Sequence, residues 1–273
     1  MPLRVLCFHG YRQTGGSFRG RLGALRRSLR KLAELDFLDG PVLLPAFEQQ
    51  QEDGSSVTYS DRRSWWRASE DGSVYDGVDA TLEYVISYMQ ENGPFDGVLG
   101  FSQGATLVLL LCGLRQKMLR SGQTENRQDH PLLNLRFCIA ACGFRPRAHN
   151  VQHLFAEDNT PFTLPSLHVL GEADQIIVPA WTEAMASLFE GAHIHRHPGA
   201  HLLPAGKRDV VRYWEFLMDF IMAGPQKDEL RVELEERKLN LEGSEDAGED
   251  VEVGEEDRES TKASSSTPMS PST

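Results

Sequence analysis

At residues 95–114 the chain reads FDGVLGFSQGATLVLLLCGL. The pentapeptide at 100–104, with Ser102 at its centre, follows an apolar run and precedes a helix-forming one. It has the pattern G-x-S-x-G, and a strand, a sharp turn with a central Ser and a helix are the context of a nucleophile elbow. Such a turn strains the Ser backbone, which favours glycines around it. The stretch predicts Ser102 as a nucleophile, and the alternative is an ordinary turn whose Ser caps the helix.

Short apolar runs alternate with helical patterns over residues 1–225. Apolar strands separated by helices predict an α/β fold, with a mainly parallel sheet of about six strands and helices on both faces. In such sheets ligands bind at the carboxyl ends of the strands, which is where Ser102 is expected to lie. The predicted strands are 3–8, 35–38, 95–101, 135–141, 166–170 and 192–197, and the predicted helices are 17–31, 76–90, 103–120, 180–189 and 208–222.

The charge of the chain is unevenly distributed. The 273 residues have a formal net charge of −12, and residues 226–273 alone hold 15 acidic and 6 basic side chains. We therefore expect a catalytic domain at 1–225 and an acidic, largely disordered C-terminal tail at 226–273, in which 227–241 has the pattern of a short charged helix. The sequence does not identify a protein partner for this tail.

Composition also excludes some classes of function. No basic face supports nucleic-acid binding, and no apolar run has the length of a membrane span. The four cysteines lie in apolar segments, as small buried hydrophobes do, which favours a reducing compartment. We expect a cytoplasmic protein.

A serine nucleophile needs a base to take its proton and an acid that orients the base. In hydrolases with this elbow the chain order is Ser, then Asp or Glu, then His. Asp174, in the turn after the predicted strand 166–170, is the predicted acid, with Glu172 as the alternative. His201, in the loop after the last predicted strand, is the predicted base, with His197 as the alternative.

A metal site is a competing interpretation of the histidines. His193, His195 and His197 alternate along one predicted strand and share a face, as metal ligands can. No Cys or carboxylate close to them in the chain supplies the remaining ligands, so we predict neither a metal nor another cofactor.

The oxyanion of an acyl-transfer reaction needs hydrogen-bond donors. The backbone amides of Gln103, directly after the nucleophile, and of Tyr11, in the loop after the first strand, are the predicted donors. Gly10 permits the turn that this loop needs. A phosphate-binding loop is the alternative, but residues 10–15 lack the G-x-G-x-x-G pattern.

The segment 41–75 is too long for an ordinary connection and contains Trp65 and Trp66. We hypothesise that at least one of these tryptophans lines an acyl pocket. The alternative is that both pack the loop onto the body of the protein, since aromatic side chains bury large apolar areas.

Several of these motifs together resemble the FSH-type serine hydrolases of the α/β-hydrolase superfamily, in particular its animal esterases. The resemblance covers about residues 3–222 and is carried by His9-Gly10 with Gln13, by 100–104, by 166–171 with Asp174, and by 199–201 with Pro204. Two positions depart from the expected pattern: Ala200 stands where a Gly is expected, and Arg145 where a small or neutral residue is expected.

The resemblance implies an α/β-hydrolase fold and a cofactor-independent carboxylesterase or thioesterase, with Ser102 as nucleophile, Asp174 as acid and His201 as base. We expect a serine esterase that hydrolyses medium- to long-chain acyl esters through an acyl-enzyme. An acyl thioesterase and a non-catalytic hydrolase-fold binding protein are the alternatives, and a serine peptidase on the same fold is a further one.

Overall fold

The computed structural model describes residues 1–50, 55–121, 130–155 and 160–242. The strands of this part of the chain are β1 (Leu3–Phe8), β2 (Ala33–Leu38), β3 (Val42–Leu43), β4 (Phe47–Gln50), β5 (Ser56–Tyr59), β6 (Arg63–Ser64), β7 (Arg67–Ala68), β8 (Tyr75–Asp76), β9 (Gly97–Phe101), β10 (Phe137–Ala141), β11 (Ser166–Gly171) and β12 (His193–His197). The helices are α1 (Gly15–Arg21), α2 (Gly23–Leu29), α3 (Val78–Asn92), α4 (Gln103–Arg120), α5 (Pro179–Ala186), α6 (Lys207–Met218) and α7 (Pro225–Glu242), with two short 3₁₀ helices at Pro131–Asn134 and His149–Leu154.

The central sheet has six parallel strands in the order β12-β11-β10-β9-β1-β2. Each predicted strand is present in this sheet, so the α/β prediction is confirmed. The carboxyl ends of parallel strands meet at one edge, and the turns after β1, β9, β11 and β12 therefore approach one another.

Helices cover both faces of the sheet and create two layers of core. On one face α3 and α4 bury Leu82, Val85, Leu107 and Leu111 against Leu6 and Val98. On the other face α1, α2 and α6 bury Phe18, Leu25 and Trp214 against Val5 and Ile139. The strands are apolar on both sides because both sides are buried, as expected of a parallel sheet.

One predicted helix is interrupted. The single helix expected at 17–31 consists of α1 and α2, which meet at Leu22. Gly20 and Gly23 flank this junction, and glycine is a poor helix former. The buried side chain of Leu22 packs into the core at the break.

The segment 41–75 contains short strands rather than an unstructured loop. It forms three antiparallel pairs, β3 with β6, β4 with β5, and β7 with β8, the last completed by Asp76. The strands have two to four residues each and little apolar alternation, which explains why the sequence did not predict them.

Helix α7 lies beyond the predicted boundary at residue 225 and packs against the body. Its Leu230 and Leu234 are buried in the same core cluster as Trp214. Glu233 forms a 2.7 Å ion pair with Lys31, and the Arg237 guanidinium lies 4.5 Å from the centre of the Trp214 ring. The division of the chain at 225 stays a prediction, and the expected disorder of 243–273 lies outside the described residues.

None of the helices described here is long and apolar enough to cross a membrane. The four cysteines are buried and free of disulfides.

We expect Leu234→Ala to lower the free energy of unfolding by about 2–4 kcal/mol, because the truncation leaves a cavity between α7 and the body. Leu239→Ala is the matched control on the same helix, since Leu239 is 65% exposed, and it should change stability by less than about 0.5 kcal/mol. Urea unfolding followed by tryptophan fluorescence measures both. Equal effects of the two substitutions would show that α7 does not pack as described.

Candidate active site

Ser102 occupies the turn between β9 and α4 in a strained backbone conformation. Its φ of 54° and ψ of −116° lie outside the regions that residues other than glycine usually adopt. Its N–H donates to the Ala141 carbonyl at 2.9 Å, which ties the turn to the neighbouring strand. The Ser102 hydroxyl makes no capping hydrogen bond to α4, so the structure gives no support to a purely helix-capping Ser.

The two glycines of the pentapeptide are required by close backbone approaches. A Cβ on Gly100 would lie 2.1 Å from the Gly104 carbonyl oxygen, and a Cβ on Gly104 would lie 2.2 Å from the Phe8 carbonyl oxygen. Neither position can hold a side chain without movement of the backbone. The G-x-S-x-G pattern therefore reflects packing of the turn against itself and against the end of β1.

Asp174 and His201 contact each other across two loops. Asp174 follows β11 and His201 follows β12, and His201 Nδ1 lies 2.7 Å from Asp174 Oδ2. The other carboxylate oxygen, Oδ1, accepts the N–H groups of Ile176 and Ile177 at 2.9 Å each. The carboxylate is thus held by its own loop through one oxygen and bonded to the imidazole through the other.

The electrostatics of this pair favour a charged carboxylate. Burial raises the pKa of Asp174, but the hydrogen bond and charge of His201 and the two backbone amides lower it further, so the pKa lies below its ordinary value. An ionised carboxylate only accepts hydrogen bonds, so His201 Nδ1 is the donor. The neutral imidazole then has Nε2 free to accept a proton.

Glu172 and His197, the alternative acid and base, touch only through their backbones in the described part of the chain, where the Glu172 N–H donates to the His197 carbonyl at 2.8 Å. Glu172 is exposed. His197 is buried at the end of β12, where burial lowers the pKa of its imidazole, and its Nε2 has no hydrogen-bond partner among the described residues. The His201 ring, in contrast, lies 4.8 Å from the ring of Phe101, the residue before Ser102.

The loop after β1 is fixed by buried polar groups. His9 Nδ1 lies 2.8 Å from the Gly10 carbonyl oxygen, and His9 Nε2 accepts the Gly40 N–H at 2.9 Å, so Nδ1 is the donor. Burial lowers the pKa of His9, which favours this neutral form. The Gly10 N–H donates to Gln13 Oε1 at 2.9 Å. These bonds hold the backbone that carries the Tyr11 amide.

The same loop lies against the strand that leads to Ser102. A Cβ on Gly10 would be 3.1 Å from the Phe101 ring. The structure therefore brings the loop of Tyr11 close to the turn of Ser102 and to His201. The Gln103 amide is the first N–H of α4, where helical geometry provides no intrahelical acceptor.

The Gln103 side chain has a role that the sequence did not reveal. Its Oε1 accepts the Trp65 N–H at 3.1 Å, and its Nε2 donates to the Trp66 carbonyl at 3.1 Å. Trp65 Nε1 in turn donates to the His9 carbonyl at 2.8 Å. The elbow, the tryptophan segment and the β1 loop are joined by these bonds. The signal available in the sequence was a polar residue, Gln103, at the start of an otherwise apolar helix.

Trp65 and Trp66 are buried core residues. The Trp65 ring packs edge-on against Phe8, with ring centres 5.3 Å apart, and Trp66 stacks on Tyr75 at 4.9 Å. Both belong to the core cluster beneath α3 and α4. These contacts attach the segment to the body, and the lining of an acyl pocket by either tryptophan stays a prediction.

Cys142 is a neighbour of the acid–base pair that the sequence analysis did not single out. Potential ligand atoms of Cys142, Asp174 and His201 all lie within 4.8 Å of one another, so this group has the residue types to hold a metal ion. Burial and the charge of Asp174 raise the pKa of the Cys142 thiol, which disfavours the thiolate that a metal needs. The direct bond between Asp174 and His201 is the geometry of an acid–base pair.

A cavity of about 780 Å³ lies between β12 and α6, and its lining includes His195, Arg208 and Asp209. Ser102, Asp174 and His201 do not line it. His195 Nε2 contacts Asp209 Oδ1 at 2.8 Å, so this histidine is engaged by a carboxylate of α6. The cavity is separate from the group of residues around the elbow.

Comparisons with known proteins agree with the fold. Residues 1–213 match the family described as "Serine hydrolase (FSH1)". The chain is 37% identical over 235 residues to Esterase OVCA2 of Danio rerio, covering 81% of this chain and 98% of the relative. Esterase OVCA2 of Homo sapiens is 37% identical over 232 residues, covering 80% of this chain and 97% of the relative.

A solved structure is similar in fold. SOBER1 of Arabidopsis thaliana superposes with a TM-score of 0.50 at 14% identity, covering 80% of this chain and 99% of SOBER1. At this identity the likeness concerns the fold alone.

We expect Gln103→Leu to lower the free energy of unfolding by about 2–4 kcal/mol, because it leaves the Trp65 N–H and the Trp66 carbonyl buried without partners. Displacement of the elbow should also reduce kcat for ester hydrolysis about ten- to a hundredfold. Gln116→Leu on the same helix is the control, since within the described residues the Gln116 side chain makes a single 3.4 Å hydrogen bond, to the Pro161 carbonyl. Steady-state kinetics and urea unfolding of both variants test this, and an unchanged kcat in Gln103→Leu would contradict it.

Proposed function

The chain belongs to the FSH1 family of serine hydrolases, and from this premise we propose that it hydrolyses carboxylic esters with Ser102, Asp174 and His201 as its catalytic triad. The observation that carries the proposal is the 2.7 Å bond between Asp174 and His201. Their loops follow neighbouring strands of the sheet, and β9 of the same sheet ends directly before Ser102. Their order along the chain is the order of α/β-hydrolase triads.

The proposed reaction is an acyl transfer in two halves. His201 Nε2 takes the Ser102 proton while Ser102 Oγ attacks the ester carbonyl carbon, and Asp174 stabilises the imidazolium that forms. The tetrahedral intermediate collapses, the bond to the alcohol oxygen breaks, and His201 returns the proton to the leaving alcohol. Water then attacks the acyl-enzyme by the same route and releases the acid and free Ser102.

The oxyanion is proposed to bind the amides of Tyr11 and Gln103. Support for Gln103 comes from its position at the N-terminus of α4, where N–H groups and the helix dipole favour negative charge. Support for Tyr11 comes from the neutral His9 and the Gln13 side chain, which fix the adjacent Gly10 through its carbonyl and its N–H. Preformed donors of this kind need no reorganisation when charge develops.

The proposed substrates are medium- to long-chain acyl esters. Each methylene that enters an apolar pocket contributes about 0.8 kcal/mol, so a deep pocket would favour such chains over acetate. Trp65 and Trp66 are the candidate lining residues from the sequence, and their backbone link to Gln103 places their segment beside the elbow. A thioesterase would use the same acyl-enzyme with a thiol as leaving group.

We further propose that residues 1–225 supply the catalytic groups. The partner of this site is a small-molecule acyl ester or thioester. A non-catalytic binding protein on the same fold is the alternative of a different class, and covalent labelling of Ser102 separates the two.

We expect Ser102→Ala to lower kcat by about 10⁵-fold or more while the protein stays folded, because the nucleophile is lost and little packing changes. Wild type should be labelled by a fluorophosphonate and Ser102→Ala should not, as read by mass spectrometry. Ser121→Ala, at the other end of α4, is the control and should be labelled normally. Retention of most activity or labelling in Ser102→Ala would overturn the assignment.

We expect kcat/KM for p-nitrophenyl esters to rise from acetate to octanoate, because longer acyl chains bury more apolar surface. The same acyl series presented as thioesters, with thiol release as the readout, measures the preference for the leaving group. A flat profile over both series would contradict a deep acyl pocket. A rise with the thioesters alone would favour the thioesterase.

A further inference from the structure

We infer that Arg12 and Arg62 form an anion-binding subsite beside the reacting ester, so that the enzyme selects substrates with a carboxylate or phosphate group near the scissile bond. The inference rests on the proposed function, because Tyr11, which precedes Arg12, is the proposed oxyanion donor. It adds a class of substrate that an apolar acyl pocket alone does not explain.

Backbone hydrogen bonds pair the two segments that carry Arg12 and Arg62, with Gln13 opposite Arg63. The Arg12 N–H donates to the Arg63 carbonyl at 2.9 Å, and the Arg63 N–H donates to the Gln13 carbonyl at 3.2 Å. The Arg62 carbonyl accepts the N–H of Leu44, the residue after β3, at 2.7 Å. This bond anchors the segment that carries Arg62 to the end of β3. The two side chains therefore project from paired segments whose positions are fixed.

Each guanidinium lies over an aromatic ring. Arg12 Cζ lies 5.2 Å from the centre of the Tyr11 ring, and Arg62 Cζ lies 5.2 Å from the centre of the Phe47 ring. Tyr11 and Phe47 are 48% and 43% exposed, so the stacked groups lie at the surface. A cation–π contact of this kind forms no hydrogen bond, so the guanidinium keeps its N–H groups for a carboxylate or phosphate.

Neither guanidinium has an acidic partner in the described part of the chain. No ion pair or side-chain hydrogen bond of Arg12 or Arg62 occurs there, whereas Arg63 contacts Asp61 at 3.1 Å and Asp39 at 4.0 Å. Burial and the positive charge of Arg12 lower the pKa of Arg62, so the two like charges repel. An anion between them would relieve that repulsion.

Arg12 also has a backbone conformation that side-chain-bearing residues rarely adopt. Its φ of 67° is in the left-handed region. Strained residues of this kind concentrate at binding and catalytic sites. The loop that carries it lies against Phe101 at Gly10, and the Phe101 ring contacts His201, so this loop borders the proposed catalytic groups.

The anionic group has two possible positions on the substrate. It is a carboxylate at the far end of the acyl chain or a phosphate on the leaving group, and both present oxygens that a pair of guanidiniums binds. Two matched substrate pairs distinguish these sources. The first pair is mono-p-nitrophenyl adipate and p-nitrophenyl hexanoate, and the second is 4-phosphophenyl hexanoate and phenyl hexanoate.

The measurement is the ratio of kcat/KM for the anionic substrate to that for its neutral partner. We expect a wild-type ratio above one for at least one pair, and a fall of about ten- to a hundredfold in Arg12→Gln and Arg62→Gln, since each loses a charged donor. Arg19→Gln, an exposed arginine of α1, removes the same charge elsewhere and should leave the ratio unchanged. Arg62→Glu should instead favour a p-nitrophenyl hexanoate that carries a trimethylammonium group at C6.

The salt dependence of this ratio in the wild-type enzyme tests the subsite even if a variant fails to fold. Raising NaCl from 0.05 to 0.5 M should reduce the ratio, because exposed charges are screened. A wild-type ratio at or below one, unaffected by salt, with normal fluorophosphonate labelling would overturn the subsite and leave the proposed function intact. Absence of both ester hydrolysis and labelling would overturn the two together.

Discussion

The close approach of Gly104 to the end of β1 is the constraint on which the site depends. A Cβ at this position would meet the carbonyl oxygens of Phe8 and His9 at 2.2 and 2.7 Å. The elbow after β9 and the loop after β1 can therefore lie together only because the first turn of α4 has no side chain there. This contact brings Ser102, the proposed nucleophile, to the loop of Tyr11, the proposed oxyanion donor. Preorganisation of the proposed site begins with this backbone contact between the first turn of α4 and the end of β1.

Around that contact, hydrogen bonds from uncharged side chains fix the backbone, and Asp174 is the ionised group. His9, the Gln103 side chain and the Trp65 indole bind main-chain groups without carrying charge. Asp174 is the ionised exception, and its Oδ1 is satisfied by two amides of its own loop while Oδ2 meets His201. Buried polar groups stabilise a single arrangement only when all of them have partners, and this network meets that condition at the elbow.

The sequence predicted the parts of the fold that have strong local patterns. The six strands of the sheet, the helix at Gln103–Arg120 and the strand–turn–helix context of Ser102 follow from apolar runs and a glycine-rich turn. The contact of Asp174 with His201 agrees with the chain order of hydrolase triads. The short antiparallel pairs between β2 and α3, the bond from Gln103 to the tryptophan segment and the position of Cys142 depend on contacts between distant residues. No local pattern encodes such contacts, so only the structure shows them.

Helix α7 is synthesised after every residue proposed for catalysis, and its position in the chain affects when the core is completed. All the residues proposed for catalysis precede it, yet Leu230 and Leu234 belong to the same buried cluster as Trp214 of α6. A nascent chain that already holds the elbow, the acid and the base still exposes an apolar surface until this helix has left the ribosome. Helix α7 therefore completes the burial of this cluster after the residues proposed for catalysis have been synthesised.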